Sequence, residues 1–241
     1  MVWVAVGLGA VLAGLVQTVT GFGSGVVLIL ILSRFFDMLA APGINNIICL
    51  FLAVILAWQY RGHINVKKVL LPGIPFVAVS MFTIRMVRSV DLSLLGIVFG
   101  FFLIALSVYF FCFDKKIKLH ADVPTAVTCA VISGVFSGLF GVGGPLMALY
   151  FLQVTENREE YVGSLQLLFV MGNVLNTATR ICSGIYTPDL LPITLVGAVG
   201  VFAGKQLGNR IAGKLNAETM KKVVYLFVGI SGVINLVQEL V

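Results

Sequence analysis

Two stretches of this 241-residue chain place clustered glycines inside runs that are otherwise apolar. The second, Gly134-Val135-Phe136-Ser137-Gly138-Leu139-Phe140-Gly141-Val142-Gly143-Gly144-Pro145, packs five glycines and a proline into twelve residues. The first, Gly14-Leu15-Val16-Gln17-Thr18-Val19-Thr20-Gly21-Phe22-Gly23-Ser24-Gly25, precedes it by 120 positions. Gly14, Gly21 and Gly23 map onto Gly134, Gly141 and Gly143, with Ser24 on Gly144 and Gly25 on Pro145. In a helix interior each Gly costs about 1 kcal/mol and a Pro roughly 3. A bilayer tolerates such breaks only where the freed backbone faces protein or a watery cavity. Matched breaks in two halves of a chain point to the binding site of a transporter.

The bilayer enters through composition. The chain is 59% hydrophobic and 11% charged, against roughly 25% charged in a soluble domain. Its charges separate apolar runs of about 18 to 23 residues, the length that crosses a hydrocarbon core of about 30 Å. The fold class is therefore an all-α polytopic membrane protein. A membrane β-barrel needs short alternating segments, which are absent from the sequence. The net charge of +6 is dispersed among loops, which excludes the clustered basic face of a nucleic-acid binder. Met1-Val2-Trp3-Val4 has no basic n-region, so the first run is expected to stay in the mature protein. Cys49, Cys112, Cys129 and Cys182 have no close-paired spacing and read as packing residues, without disulfides or a metal. No cofactor is expected.

In chain order, a broken run from Val2 to about Phe36 precedes spans from Pro42 to about Tyr60, Val69 to about Val87, and Leu92 to Phe113. A polar linker, residues 115–122, follows the first membrane repeat, residues 1–114. The second repeat, residues 123–241, has a broken run from Val123 to Leu152 and spans from about Tyr161 to Ile181, Leu190 to Gly208, and on to about Val237. The two repeats make one integral membrane domain.

Counting Lys and Arg decides between two topologies. If each broken run crosses once, the sixteen basic residues divide seven against nine. If each run turns back as a hairpin, twelve share one side and only Arg34, Arg85, Arg88 and Arg180 remain opposite. The second division obeys the positive-inside rule. It makes the halves inverted repeats of about four segments each, with both termini outside and the linker cytoplasmic.

In that arrangement the two glycine tips meet near the bilayer midplane. Half-helices beginning near Ser24 and Gly144-Pro145 each aim free N–H groups and about half a positive charge at the centre, a ready anion site. The alternative for the glycines is tight helix packing alone. Backbone near Gly21, Gly23, Ser24, Gly141, Gly143 and Gly144 forms the candidate site, with Gln17, Thr20, Asn46, Gln166 and Asn173 as neutral donors around it. Gln166, Asn173, Thr177 and Arg180 share one helix face. Gly21-Phe22-Gly23-Ser24-Gly25 is not a G-x-S-x-G elbow, and His63 and His120 lie in loops, so no nucleophile–base pair supports an enzyme. No Asp or Glu lies deep in a span, which argues against cation coordination through buried carboxylates.

At these residues the sequence resembles the sulfite exporter TauE/SafE family of membrane permeases. The likeness rests on the two glycine runs, on Gly62 with its counterpart Gly184, and on the length of two similar halves. It implies transport of small anions, chiefly sulfur oxyanions and organosulfonates, across the inner membrane. The expected partners are a small anionic substrate and the lipid bilayer, with a coupling proton as a further candidate and no nucleic acid. The alternative from another class is a non-transporting membrane scaffold or assembly factor. The third span carries Ser80, Ile84 and Arg88 where the seventh carries Gly200, Gly204 and Gly208, so asymmetric packing is expected there.

Overall fold

A computed structural model describes residues 1–87, 89–113 and 122–211, together with residues 230, 233, 236 and 237. The linker from Lys115 to Ala121, Arg88, the basic loop with Lys214, Lys221 and Lys222, and most of the last expected span lie outside the described residues. The described chain is helical: α1 (Val2–Thr20), α2 (Ser24–Leu32), α3 (Ala40–Gln59), α4 (Val66–Val87), α5 (Leu92–Phe113), α6 (Val123–Phe140), α7 (Gly144–Val154), α8 (Arg158–Cys182) and α9 (Leu191–Ile211). Short 3-10 turns at Arg61–His63 and Pro188–Leu190 precede α4 and α9.

Helix starts follow capping chemistry. Asp37 accepts from the Leu39 and Ala40 backbone N–H groups ahead of α3 at 2.9 and 2.7 Å. Asp122 accepts from Thr125 N–H at 2.9 Å beneath α6, and Asn157 from Glu160 N–H at 2.8 Å beneath α8. Each satisfies a donor that the first helical turn leaves orphaned. Among the described residues, α1, α3, α4, α6 and the Pro188–Arg210 stretch are long and apolar enough to cross a membrane. Large apolar side chains such as Leu8, Phe51, Ile74, Phe82 and Val199 point outward, as a lipid-facing surface requires.

Both broken runs turn back on themselves. α1 ends at Gly21, φ +85°, and α6 at Gly141, φ +69°. This left-handed backbone suits glycine, and each glycine N–H caps its helix by donating to the carbonyl of Gln17 or Ser137. A Cβ on Gly9 would meet Ile31, so α2 lies alongside α1 rather than continuing it. In the second half Ala126, Cys129 and Ala130 of α6 pack in one cluster with Tyr150 and Phe151 of α7.

The contacts between halves are reciprocal. α1 packs on α9 and α4 on α6; α3 packs on α8, α3 on α9, and α4 on α8. Glycines permit the two closest pairings, but they are shared out differently between the partners. Gly200, Gly204 and Gly208 of α9 face Ala10, Val11 and Thr18 of α1, while Gly134 and Gly138 of α6 face Phe76, Ser80 and Thr83 of α4. Gly14 of α1 also meets the Val201 backbone of α9. Glycines thus line both sides of α1–α9 but only the α6 side of α4–α6, which is the asymmetry expected from Ser80 and Ile84. Gly43 at the start of α3 lies by Arg180 and Tyr186 at the end of α8, and Gly163 early in α8 lies by Tyr60 after α3. These counterparts run antiparallel.

Candidate functional site

The two breaks meet in a small cavity of about 40 Å³. Gly23, Ser24 and Gly25 line it from the start of α2, and Gly143, Gly144 and Pro145 from the start of α7. Gln17, Cys49, Ser137, Phe169 and Asn173 complete much of the wall. Two helix N-termini thus open on one space, each with unsatisfied N–H groups and a partial positive charge. Where one water needs roughly 10–15 Å³ on this measure, the cavity holds about three water-sized groups.

The first tip is held by amides. Ser24 Oγ donates to Gln17 Oε1; Gln17 Nε2 donates to Gln166 Oε1 at 2.8 Å; Gln166 Nε2 donates to the Gly21 carbonyl, also at 2.8 Å. Gln17 keeps a place in the cavity wall, while Gln166 stands behind it and fixes the break against α8. Thr20 does not line the cavity: its hydroxyl is engaged with the Val16 and Phe22 carbonyls at 2.9 and 2.7 Å. Nor does Gly21 line it; its conformation and the Gln166 bond shape the turn.

The second tip is held by a different set. Asn176 Nδ2 donates to Ser137 Oγ at 3.1 Å, and Ser80 Oγ donates to Asn176 Oδ1 at 2.7 Å. Gly141 and Gly143 form the turn and Gly144 begins α7. A Cβ on Gly143 would lie 2.6 Å from Phe76 Cε2 and 2.8 Å from the Ser133 carbonyl oxygen, so packing also demands glycine there. Asn46 lies against Gly141 but outside the cavity wall, and its buried carboxamide has no hydrogen-bond partner. Asn173, by contrast, faces the cavity directly.

Sequence reasoning missed Asn45. Its Nδ2 donates to the Gly25 carbonyl at 3.1 Å and the Gly141 carbonyl at 3.2 Å, joining the two tips. The Asn45-Asn46 doublet in an apolar run was the available signal, but only Asn46 has a polar counterpart in the other half. Cys49, read as a packing residue, lines the cavity with its thiol 3.4 Å from both Ser24 Oγ and Asn45 Oδ1.

The sequence matches the model of the sulfite exporter TauE/SafE family over residues 6–234. The chain belongs to that family. It is 26% identical over 245 residues to a probable membrane transporter protein of Methanocaldococcus jannaschii, covering 93% of this chain and 92% of that one. No solved structure matches. This member of the TauE/SafE family is a multi-pass membrane transporter. Among the described residues no group of three or more His, Cys, Asp or Glu side chains could hold a metal ion.

Proposed function

We propose that this TauE/SafE transporter carries a small oxyanion, a sulfur oxyanion such as sulfite first among them, through the cavity between the two tips. The observation that carries the reading is the convergence of the α2 and α7 N-termini on one space. Backbone amides near Gly23, Ser24, Gly143 and Gly144 bind the oxygens, and Asn173 adds a neutral donor. Gln17 and Gln166 hold the first tip, while Thr20, Gly21 and Gly141 keep the turns in shape. No charged side chain is among the residues lining the cavity, so the anion is held by dipoles that release it again. A cavity of about 40 Å³ suits a compact oxyanion, whereas an organosulfonate requires it to widen.

The antiparallel α3 and α8 support inverted repeats, residues 1–114 and 123–241 about linker 115–122. The twelve-to-four distribution of basic residues supports a cytoplasmic linker and both termini outside the inner membrane. The anion-dependent melting temperature of the purified protein tests the binding reading at matched ionic strength. Sulfite, sulfate and thiosulfate are expected to raise it more than chloride, and taurine less. Equal effects from all the salts would contradict an oxyanion site.

A further inference from the structure

Arg180 is fully buried in α8, and no acidic side chain among the described residues pairs with it. Its Nη2 donates to the Gly138 carbonyl in the last turn of α6 at 2.6 Å. Nε and Nη1 are buried without a hydrogen-bond partner. A guanidinium carries five N–H donors in a planar fork. One acceptor leaves at least one of its two-pronged edges open. Arg158, at the other end of α8, donates to the Val19 carbonyl near the end of α1 at 3.2 Å, but from an exposed position. Capping a helix end therefore accounts for Arg158 completely and for Arg180 only in part.

A second orphaned group stands at the same helix end. Asn46 of α3 is fully buried against Gly141, and neither atom of its carboxamide has a partner. Thr177, one turn before Arg180, also has a buried hydroxyl without a partner. None of the three lines the cavity. Asn173, which does, lies seven residues before Arg180 on the same face, about 10 Å along the helix. Buried charge without a counter-ion is costly, and an anion is the ligand that offsets it.

We propose that Arg180, with Asn46 beside the same end of α6, forms a second station for the transported oxyanion, between the cavity and the C-terminal end of α8. The inference rests on the small-oxyanion reading above. An oxyanion accepts from the open guanidinium edge in the two-pronged geometry that suits carboxylate, sulfite or sulfate. Both orphaned side chains are closed off in this conformation, so the station fills when the second tip moves away from α8. Because Gly138 sits on that tip and holds Arg180, tip movement releases the guanidinium as it opens the route.

Concentration-dependent [35S]sulfite and [35S]sulfate uptake into proteoliposomes tests this with Arg180→Gln, Arg180→Lys and Asn46→Ala. Arg180→Gln is expected to raise KM at least about tenfold, through loss of a charge-assisted contact. Arg180→Lys, which keeps the charge but loses the two-pronged fork, should fall between wild type and Arg180→Gln. Asn46→Ala removes an amide that bonds to no other residue, so its melting temperature should hold while KM rises. If Arg180 only caps α6, Lys and Gln variants lose stability alike and Asn46→Ala leaves KM unchanged; that pattern overturns the station. Should Arg180→Gln fail to fold, the KM of Asn46→Ala alone decides. Wild-type protein that carries neither anion would instead overturn the small-oxyanion reading, and the station with it.

Discussion

The amide of Asn45 donates to Gly141 across 96 positions of chain while also holding Gly25, so one side chain on α3 ties the first tip to the second. Neither carbonyl belongs to a residue with a side chain of its own to offer. The bridge therefore fixes how far apart the two helix N-termini stand. Asn45→Ala leaves both carbonyls short of this donor and is expected to cost about 1–3 kcal/mol of stability. Chemical denaturation in detergent measures the loss, and a variant as stable as wild type would show that the bridge is idle.

Glycines at the breaks and glycines elsewhere should respond differently to a methyl group. Gly143→Ala drives a Cβ into the Phe76 ring and the Ser133 carbonyl, an overpacking that costs about 1–3 kcal/mol. A Cβ on Gly62 meets nothing within 4 Å, so Gly62→Ala should fall within about 0.5 kcal/mol of wild type. Melting temperatures without added anion separate the two. Equal values would mean that the second tip is looser than its contacts imply.

Much of this arrangement was legible before the fold. The Gly and Pro clusters marked both breaks to within a residue or two, because a backbone turn in an apolar run leaves few alternatives. The starts of α2 at Ser24 and α7 at Gly144 follow from the same punctuation. What the sequence hid was which polar groups spend their hydrogen bonds internally. Thr20, Gln166 and Asn46 have the chemistry of ligands, yet Thr20 and Gln166 bond to backbone and Asn46 sits beside the wall. Asn45 and Cys49 reach the site through α3 packing across the halves, a tertiary relation with no periodic trace. That α1–α9 carries glycines on both sides and α4–α6 only on the α6 side is hidden for the same reason.

Acid should loosen the loop layer at the start of α8. Glu160, in the first turn ahead of the apolar stretch, accepts from Glu156 N–H at 2.8 Å and pairs with Lys68 Nζ at 2.8 Å. The Glu156 backbone N–H and then the Lys68 ammonium hold its carboxyl below its ordinary value of 4.5. A depressed carboxyl stabilises the fold fully above the unfolded value, and that contribution vanishes as pH falls through the folded one. Glu160→Gln is expected to lower stability by about 1 kcal/mol at neutral pH. The difference from wild type should close on acidification below 4.5. A constant difference across that range would rule out the ionised carboxylate as its cause.

Sidedness follows from the distribution of basic residues. Single cysteines in a Cys-free background at Phe35, Lys67 and Asp189, all exposed, report it in intact cells. The inverted arrangement expects Phe35 and Asp189 positions to react with a membrane-impermeant maleimide and the Lys67 position to react only with a permeant one. Phe35 and Lys67 on the same side would break the hairpin topology.

The central claim is that the cavity between the α2 and α7 N-termini holds an anion, and Asn173→Asp tests it most directly. The substitution conserves volume and places a carboxylate in the wall of the cavity that Gly23 and Gly144 also line, where the two helix ends attract it. The measurement is [35S]sulfite uptake into proteoliposomes, wild type against Asn173→Asp, with melting temperatures in parallel. The account predicts saturable wild-type uptake, loss of nearly all uptake in the variant, and a melting temperature held or raised. A folded Asn173→Asp protein that carries sulfite at the wild-type rate would contradict it.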